Sequence, residues 1–244
     1  MKYQVNVVAH RGASGTFPEN TLSAFREAIR LGVESIEFDV HLSGDGELIV
    51  IHDNSVDRTT DGSGKIGDLT LEEIKRLDAG VKFHSRFSGE RVPTLPETLD
   101  IMPANIRLNI HVKAYPDIRD VLTEKVIGEI VGRDILNSAF FTSDAETVKL
   151  VKRTNPDMAI CNLSGQNGDS YVDFSRDLGS YIIQPNRSIT TTEMVEKAHK
   201  NNMEVNVFYA DEERDMTALM EMGVDGILTN FPERLKALQE QIRM

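Results

Sequence analysis

The chain has 244 residues, of which 40% are hydrophobic and 27% are charged, a composition typical of a globular domain. Its formal net charge of -12 argues against nucleic-acid binding, because phosphate backbones are held by basic faces. A small anionic ligand is still compatible with this charge, since a few local cations suffice to bind one.

Short apolar runs and helical patterns alternate from the start of the chain. The first strand, the first helix and two further extended segments are predicted at Val5–Ala9, Glu19–Leu31, Ser35–Val40 and Glu47–His52. In the helix, Leu22, Phe25 and Ile29 recur at helical spacing, and Gly32 stands where a helix end is expected.

A polar, glycine-rich stretch over residues 54–98 interrupts this alternation. It contains no strong strand pattern, and loops of such length inside a domain are usually functional. We therefore predict an insertion after the second βα unit, at about 54–98.

The rest of the chain returns to the β/α alternation. Its strands are predicted at Ile106–Val112, Ala139–Thr142, Met158–Asn162, Tyr181–Gln184, Glu204–Tyr209 and Gly226–Thr229, and its clearest helices at Thr192–Asn201, Asp211–Met222 and Pro232–Ile242. With the strands at Val5 and Ser35, eight strands alternate with helices, which predicts a parallel sheet covered by helices. At about 250 residues this pattern favours one TIM (β/α)8 barrel domain over residues 1–244. An open doubly wound sheet is the second choice.

Titratable residues follow the early strands, at the barrel end where catalytic residues gather. His10 and Arg11 follow the first strand, Glu37, Asp39 and His41 lie on or just after the second, and His52 ends the next extended run. His111 and Lys113 lie at the end of the Ile106 strand, together with the polar but non-titrating Asn109. We take them as the candidate site.

Glu37 and Asp39 lie two residues apart, so both side chains project from one face of a strand. Two such carboxylates repel unless a cation or a proton lies between them. A divalent cation with oxygen ligands satisfies this requirement, and so does an ion pair with Arg11 or Lys113. The spacing alone does not choose between them.

His10 and His52 can act as general acid and base, because histidine titrates nearest neutral pH. The alternative is a structural hydrogen-bonding role for both. Arg11 and Lys113 can hold a phosphoryl group or simply balance the charge of the carboxylates.

Longer motifs make the assignment more specific. The chain reads H-R-G at residues 10–12, P-E-N-T at 18–21 and I-E-F-D-V at 36–40, followed by a segment that runs from Asp45-Gly46 to His52-Asp53. These motifs, together with residues 57–80, 92–99 and 223–235, resemble the glycerophosphodiester phosphodiesterase family over most of the chain.

The resemblance implies a TIM barrel with an inserted segment after the second strand. It implies a catalytic pair at His10 and His52, and metal carboxylates at Glu37 and Asp39. Phosphate contacts are implied at the two cations that follow strands, Arg11 and Lys113. The metal would be Ca²⁺ or Mg²⁺.

Three departures from the family pattern concern the site. His111 stands where the family usually has a third metal-binding glutamate, so Ca²⁺ and Mg²⁺ should bind more weakly while Mn²⁺ or Zn²⁺ should suffer less; alternatively, water replaces the missing ligand. Phe208 or Tyr209 occupies the region of a substrate-covering tryptophan, and the chain has none. Asn230 stands where aspartate is common.

The implied reaction is hydrolysis of a small-molecule glycerophosphodiester to glycerol 3-phosphate and an alcohol. The resemblance leaves open the alcohol, the metal, which histidine is the acid, and whether water or a glycerol hydroxyl attacks. Lysophospholipids and sugar phosphodiesters are alternative substrates, although the polar insertion favours a soluble one. A non-catalytic barrel that binds a phosphorylated ligand is the alternative from another class, motivated by His111.

Other features bear on location. Cys161 is alone, so an internal disulfide is excluded. The run Val5–Ala9 is too short for a signal sequence, and no apolar run approaches the ~20 residues of a membrane span. We expect a cytoplasmic protein without an integral membrane segment, and the oligomeric state cannot be predicted.

Overall fold

The computed structural model describes residues 4–166 and 170–243. The strands are β1 (Asn6–His10), β2 (Ser35–Leu42), β3 (Leu48–Val50), β4 (Arg107–Val112), β5 (Ala139–Ser143), β6 (Ala159–Asn162), β7 (Ile182–Ile183), β8 (Glu204–Val207) and β9 (Gly226–Thr229). The α-helices are α1 (Leu22–Arg30), α2 (Leu71–Arg76), α3 (Leu95–Asp100), α4 (Arg119–Gly132), α5 (Ala145–Thr154), α6 (Tyr171–Asp177), α7 (Thr192–Lys200), α8 (Glu213–Met222) and α9 (Pro232–Arg243).

The strands form a closed parallel barrel. The order β1-β9-β8-β7-β6-β5-β4-β2 is joined into a ring by parallel pairing of β1 with β2. β3 stands outside this ring, pairs antiparallel with β2 and forms a single bridge with Thr94 through Ile49. The predicted TIM barrel is therefore confirmed, and the open doubly wound sheet is wrong.

The two faces of the barrel strands carry different residues. On β2, Ile36, Phe38 and Val40 are buried in the main apolar core, where the strands meet the surrounding helices. The alternate residues of the same strand are Glu37 and Asp39, which point into the barrel because successive side chains alternate across a strand. The two-residue period of β2 thus places its apolar side chains against the helices and its carboxylates inside the barrel.

Among the boundaries on the first half of the barrel that differ from those predicted, two have a clear structural cause. α1 begins at Leu22 rather than Glu19, because Thr21 caps it by accepting a hydrogen bond from Ala24 N and Asn20 has a φ of 55°, which no helix allows. β2 continues to Leu42 because the antiparallel pairing with β3 extends it beyond its parallel neighbour β4.

Two further differences from the predicted boundaries, near the end of the chain, also have a structural cause. β8 stops at Val207, two residues before the predicted end, and the backbone of Phe208 instead pairs with Asn186. α8 begins at Glu213 rather than Asp211, whose carboxylate accepts hydrogen bonds from the segment that follows β9. In both places, residues predicted to be regular structure belong to loops around the barrel mouth.

The segment between β3 and α3 has an apolar cluster of its own. Ile66, Ile74 and Val92 pack there with Ile49 and Ile51 from the β3 region. Leu48 and Val50, which alternate with Ile49 and Ile51 along the chain, belong to the barrel core. α3 also packs on the barrel core through Leu95 and Leu99. The limits of the insertion at about 54–98 within a single 1–244 domain stay a prediction.

No helix in the described ranges is long and apolar enough to span a membrane.

Candidate active site

Strand register brings the first candidate residues together. At the carboxyl ends of neighbouring parallel strands, His10 of β1 lies beside Glu37 of β2, and Asp39 of β2 lies beside His111 of β4. Because paired residues in adjacent strands share a face, all four side chains point into the same mouth of the barrel.

Glu37, Asp39 and His111 form a cluster suited to a cation. One ligand atom from each lies within 4.8 Å of the others, and the Nδ1 of His111 is 3.1 Å from Asp39 Oδ1 and 3.9 Å from Glu37 Oε1. Asp39 is fully buried, yet its Oδ1 has no well-directed hydrogen bond in the structure. Two carboxylates and an imidazole around such an oxygen fit a divalent cation.

The electrostatics of this cluster favour an added positive charge. Burial and the neighbouring Asp39 raise the pKa of Glu37 to about 8. Burial alone would raise the pKa of Asp39 as well, but the adjacent His111 imidazole and the Lys113 and Arg11 cations hold it well below its usual range. A cation between the two carboxylates would keep both ionised.

Arg11 and Lys113 lie against the same carboxylate. Lys113 Nζ is 3.0 Å from Asp39 Oδ1, and Arg11 Nε is 3.4 Å from Asp39 Oδ2. The ion pair and the cation site, which the sequence left as alternatives, thus involve the same Asp39 side chain. Arg11 also donates from Nη1 to Glu19 Oε1 at 2.8 Å.

His10 is held by residues from the far end of the chain. Its Nδ1 is 2.8 Å from Asn230 Oδ1, and Asn230 Nδ2 donates to Asp211 Oδ2 at 2.7 Å. Because a carboxylate only accepts, the Asn230 amide is oriented with its oxygen towards His10. His10 therefore carries its proton on Nδ1 and leaves Nε2 free on the side of Glu37, 3.9 Å away. Burial, followed by the charge of Arg11, lowers the pKa of His10 to about 4.

His52 has a more open setting. Its Nδ1 is 2.6 Å from Asp53 Oδ1, and its side chain is 33% exposed. The neighbouring His41 lies away from the candidate cluster, with Nε2 2.9 Å from the backbone oxygen of His52. His41 thus supports the His52 backbone.

One cavity of about 210 Å³ joins the candidate residues. His10, His52 and the cluster of Glu37, Asp39 and His111 line it, together with Arg11. Gln166, Gln184 and Asn186 face them from the opposite wall.

Aromatic rings cover one side of His10. Phe208 also lines the cavity, and its ring meets the imidazole edge to face at 5.1 Å. Tyr209 stacks on the same imidazole at 5.6 Å. Both rings thus contact His10, and a role for either in covering a substrate stays a prediction.

Some residues that hold the candidate side chains were not predicted to have a role. Glu19, Asn20, Asp53 and Asn230 contact them directly, and Arg58 contacts Glu19 and Asp53. Asn20 donates to Asp39 Oδ2 at 2.9 Å. Glu19 and Asn20 belong to the P-E-N-T motif and Asp53 to the H-D motif, so these motifs could have indicated their role. Asn230 was noted only as a minor departure, and Arg58 was seen only as part of the insertion.

Comparison with known proteins adds independent information. The sequence profile of the glycerophosphoryl diester phosphodiesterase family matches residues 10–234. A glycerophosphodiester phosphodiesterase of Caldanaerobacter subterraneus subsp. tengcongensis is 38% identical over 234 residues, which cover 94% of this chain and 95% of that protein.

Two solved structures have the same fold over nearly their full length. An Oleispira antarctica phosphodiesterase in complex with the product sn-glycerol-3-phosphate aligns with a TM-score of 0.90 and 26% identity, covering 96% of each chain. A glycerophosphodiester phosphodiesterase from Agrobacterium tumefaciens aligns with a TM-score of 0.84 and 29% identity, covering 96% of this chain and 100% of that one.

Proposed function

This chain belongs to the glycerophosphoryl diester phosphodiesterase family and is a phosphoric diester hydrolase, and from this premise we propose that it hydrolyses glycerophosphodiesters with the help of a divalent cation. The products would be glycerol 3-phosphate and an alcohol. The observation that carries the proposal is the cavity in which two histidines face a buried pair of carboxylates, one of whose oxygens accepts no well-directed hydrogen bond.

Glu37, Asp39 and His111 would hold the cation. When bound, it would supply positive charge that offsets the negative charge developing on the phosphoryl oxygens. The metal is expected to be Ca²⁺ or Mg²⁺ from the family and the two carboxylates, while the imidazole of His111 favours Mn²⁺ or Zn²⁺. The preference between these two pairs of metals would therefore depend on one neutral nitrogen of His111 in place of a carboxylate.

Arg11 and Lys113 would bind the remaining phosphoryl oxygens. Both cations lie next to Asp39. Arg11 also lines the cavity, and an arginine can present two parallel donors to a phosphate. Their pairing with buried carboxylates holds them in place before substrate arrives, so little conformational entropy is lost on binding.

His10 would act as the general base and His52 as the general acid. His10 is neutral at working pH, because burial lowers its pKa to about 4, and its free Nε2 can accept a proton from the attacking hydroxyl. His52 has an acidic partner, Asp53, at 2.6 Å, which can orient the imidazole that would deliver a proton to the leaving alcohol.

The glycerol side of the substrate would lie against Phe208. This ring lines the cavity beside His10, where an apolar surface can pack on the carbon skeleton of a glycerol group. The product named for the Oleispira relative, sn-glycerol-3-phosphate, supports the same product here.

The proposal is tested by incubating the protein with glycerophosphocholine and measuring released glycerol 3-phosphate. The assay is run after chelation and again with Ca²⁺, Mg²⁺, Mn²⁺ or Zn²⁺ restored. Release that depends on an added metal is expected, and the ranking of metals reports the contribution of His111. No release with any metal would contradict the proposed substrate.

A lysophospholipid is the second candidate substrate. Val81 and Phe83 of the insertion are 40% and 43% exposed, and Phe83 lines a groove that shares Ser14 and Glu19 with the cavity wall around His10. An apolar chain could pack there. Faster turnover of lysophosphatidylcholine than of glycerophosphocholine in the same assay would favour it.

A further inference from the structure

Arg58 of the insertion lies between two carboxylates from separate parts of the chain. Its Nη1 and Nη2 donate to Glu19 Oε2 and Oε1 at 2.7 and 2.8 Å. Its Nε donates to Asp53 Oδ2 at 2.7 Å, and Nη2 reaches Asp53 Oδ1 at 3.2 Å. One guanidinium thus joins the loop after β1 to the segment after β3.

Both carboxylates also contact candidate catalytic residues. Asp53 Oδ1 is 2.6 Å from His52 Nδ1, and Glu19 Oε1 accepts from Arg11 Nη1 at 2.8 Å. His52 and Arg11 are therefore the two ends of a chain of alternating acidic and basic groups, with Arg58 at its centre.

The insertion holds the backbone around Arg58. Val56 is fully buried in the apolar cluster of the insertion. Its carbonyl oxygen accepts hydrogen bonds from both the backbone N and the Oγ1 of Thr60, and Thr60 is itself fully buried. Arg58 lies between these two anchored residues, so its main chain has little freedom.

Arg58 itself does not line the cavity that contains the two histidines. Its side chain is 47% exposed and lies along the neighbouring groove with Lys82 and Phe83. A direct contact with the reacting phosphoryl group is therefore not its role.

We propose that Arg58 is a positioning residue that fixes the orientation of the His52 imidazole through Asp53, which makes the insertion a part of the catalytic apparatus. This inference rests on the proposed function of His52. Asp53 is 31% exposed and could otherwise rotate into solvent. Bound to Arg58, it keeps one oxygen on His52 Nδ1, so that Nδ1–H donates to Asp53 in both the neutral and the protonated imidazole. The Nε2 proton of the protonated imidazole is then the one that passes to the leaving alcohol.

Arginine is the side chain that this geometry requires. The two carboxylates are held from three nitrogens of one planar group, and a lysine ammonium cannot present that fork. Hydrogen bonding from Arg58 also lowers the pKa of Asp53 to about 2, so Asp53 is an acceptor throughout the neutral range.

The kinetic test compares Arg58→Met and Arg58→Lys with the wild type. We expect Arg58→Met to lower kcat by about 10²-fold, because small misplacement of a catalytic group has that effect, and Arg58→Lys to retain an intermediate rate. KM should change by less than about threefold, since Arg11 keeps its contacts to Glu19 and Asp39. Arg76→Met is the matched control, because Arg76 is 70% exposed on the same insertion and pairs with Glu72 along its own helix.

A second measurement does not depend on turnover. Nitrogen-15 NMR of the imidazoles should show His52 in a single Nδ1-protonated tautomer in the wild type and in Arg76→Met, and a mixture in Arg58→Met. Loss of that single tautomer supports the proposal even if glycerophosphocholine proves not to be the substrate. If Arg58→Met fails to fold, Arg58→Lys answers the same two questions.

Two results would overturn the role of Arg58. One is an Arg58→Met protein with wild-type kcat and an unchanged His52 tautomer. The other is a raised KM at constant kcat, which would mean that Arg58 binds substrate instead of orienting His52.

Discussion

At the scale of single residues, the site is built from side chains that have more than one neighbour of opposite charge. Asp39 lies near two cations, Arg11 and Lys113, and near the imidazole of His111. Such a buried carboxylate is stable only because positive groups surround it. The same carboxylate could also bind a divalent cation together with Glu37 and His111. Asp39 can therefore balance the charge of Arg11 and Lys113 and serve as a metal ligand.

The two cavity histidines are expected to be essential for turnover. Replacement of His10 or His52 by Ala should lower kcat by about 10²–10⁴-fold, because each removes a proton-transfer group. The assay is release of glycerol 3-phosphate at saturating metal. His84→Ala is the control, since His84 is exposed on the insertion and lies outside the cavity. Near-full activity in His10→Ala would refute the assignment.

His111 is expected to set the metal preference. His111→Glu should strengthen Ca²⁺ and Mg²⁺ binding by at least about tenfold, because it adds a negative charge and a hard oxygen ligand to Glu37 and Asp39. Isothermal titration of each metal measures this effect, with Glu37→Gln as a variant that should weaken binding of every metal. Equal Ca²⁺ affinity in His111→Glu and wild type would show that His111 is not a ligand.

At the scale of elements, β3 links the barrel to the insertion. Alternate side chains of this region enter two different apolar clusters, with Val50 in the barrel core and Ile49 and Ile51 in that of the insertion. His52 and Asp53 follow directly. The position of His52, the proposed general acid, thus depends on the packing of both the barrel core and the insertion cluster.

Packing of the insertion is expected to contribute to global stability. Ile74 of α2 is fully buried in the insertion cluster, so Ile74→Ala should lower the free energy of unfolding by about 2–5 kcal/mol. Thermal or urea denaturation measures it. Glu72→Ala is the control on the same helix, since its side chain is 77% exposed and its ion pair is worth little. An unchanged stability in Ile74→Ala would mean that the insertion unfolds independently of the barrel.

At the scale of the whole molecule, buried neutral histidines make the fold sensitive to acid. His41 is buried, and burial lowers its pKa to about 4 from an ordinary value of 6.5. Between these two values the unfolded chain binds a proton that the folded chain does not. The stability contributed by His41 is therefore complete above pH 6.5 and is lost as the pH falls towards 4.

This dependence can be isolated by a variant. His41→Gln keeps a donor for the His52 carbonyl but cannot titrate. Subtracting the unfolding free energy of the variant from that of the wild type at each pH therefore removes the contributions of all other groups. Between pH 6.5 and 4 the difference in unfolding free energy should change by about 1.4 kcal/mol per pH unit, or about 3 kcal/mol in total. Urea denaturation of the chelated proteins measures it. A pH-independent difference would show that His41 is protonated in the folded state.

The sequence by itself determined the barrel and the main candidate residues. Alternating apolar runs and helical patterns are local signals, and they specified eight strands whose ends carry His10, Glu37, Asp39 and His111. The two carboxylates could be placed on one face because the period of a strand is fixed. The motifs shared with the family then distinguished a phosphodiesterase from other barrels.

Only the tertiary structure decided how these residues are held. Asn230 orients His10 from 220 positions along the chain, and Arg58 reaches Glu19 from 39 positions away. Neither contact follows from periodicity, because both form between loops that meet only when the barrel closes. The same reason explains two wrong helix starts. Asn20 and Asp211 were predicted to lie within helices, but both lie outside them, and their side chains form hydrogen bonds with Asp39 and Asn230 of other elements.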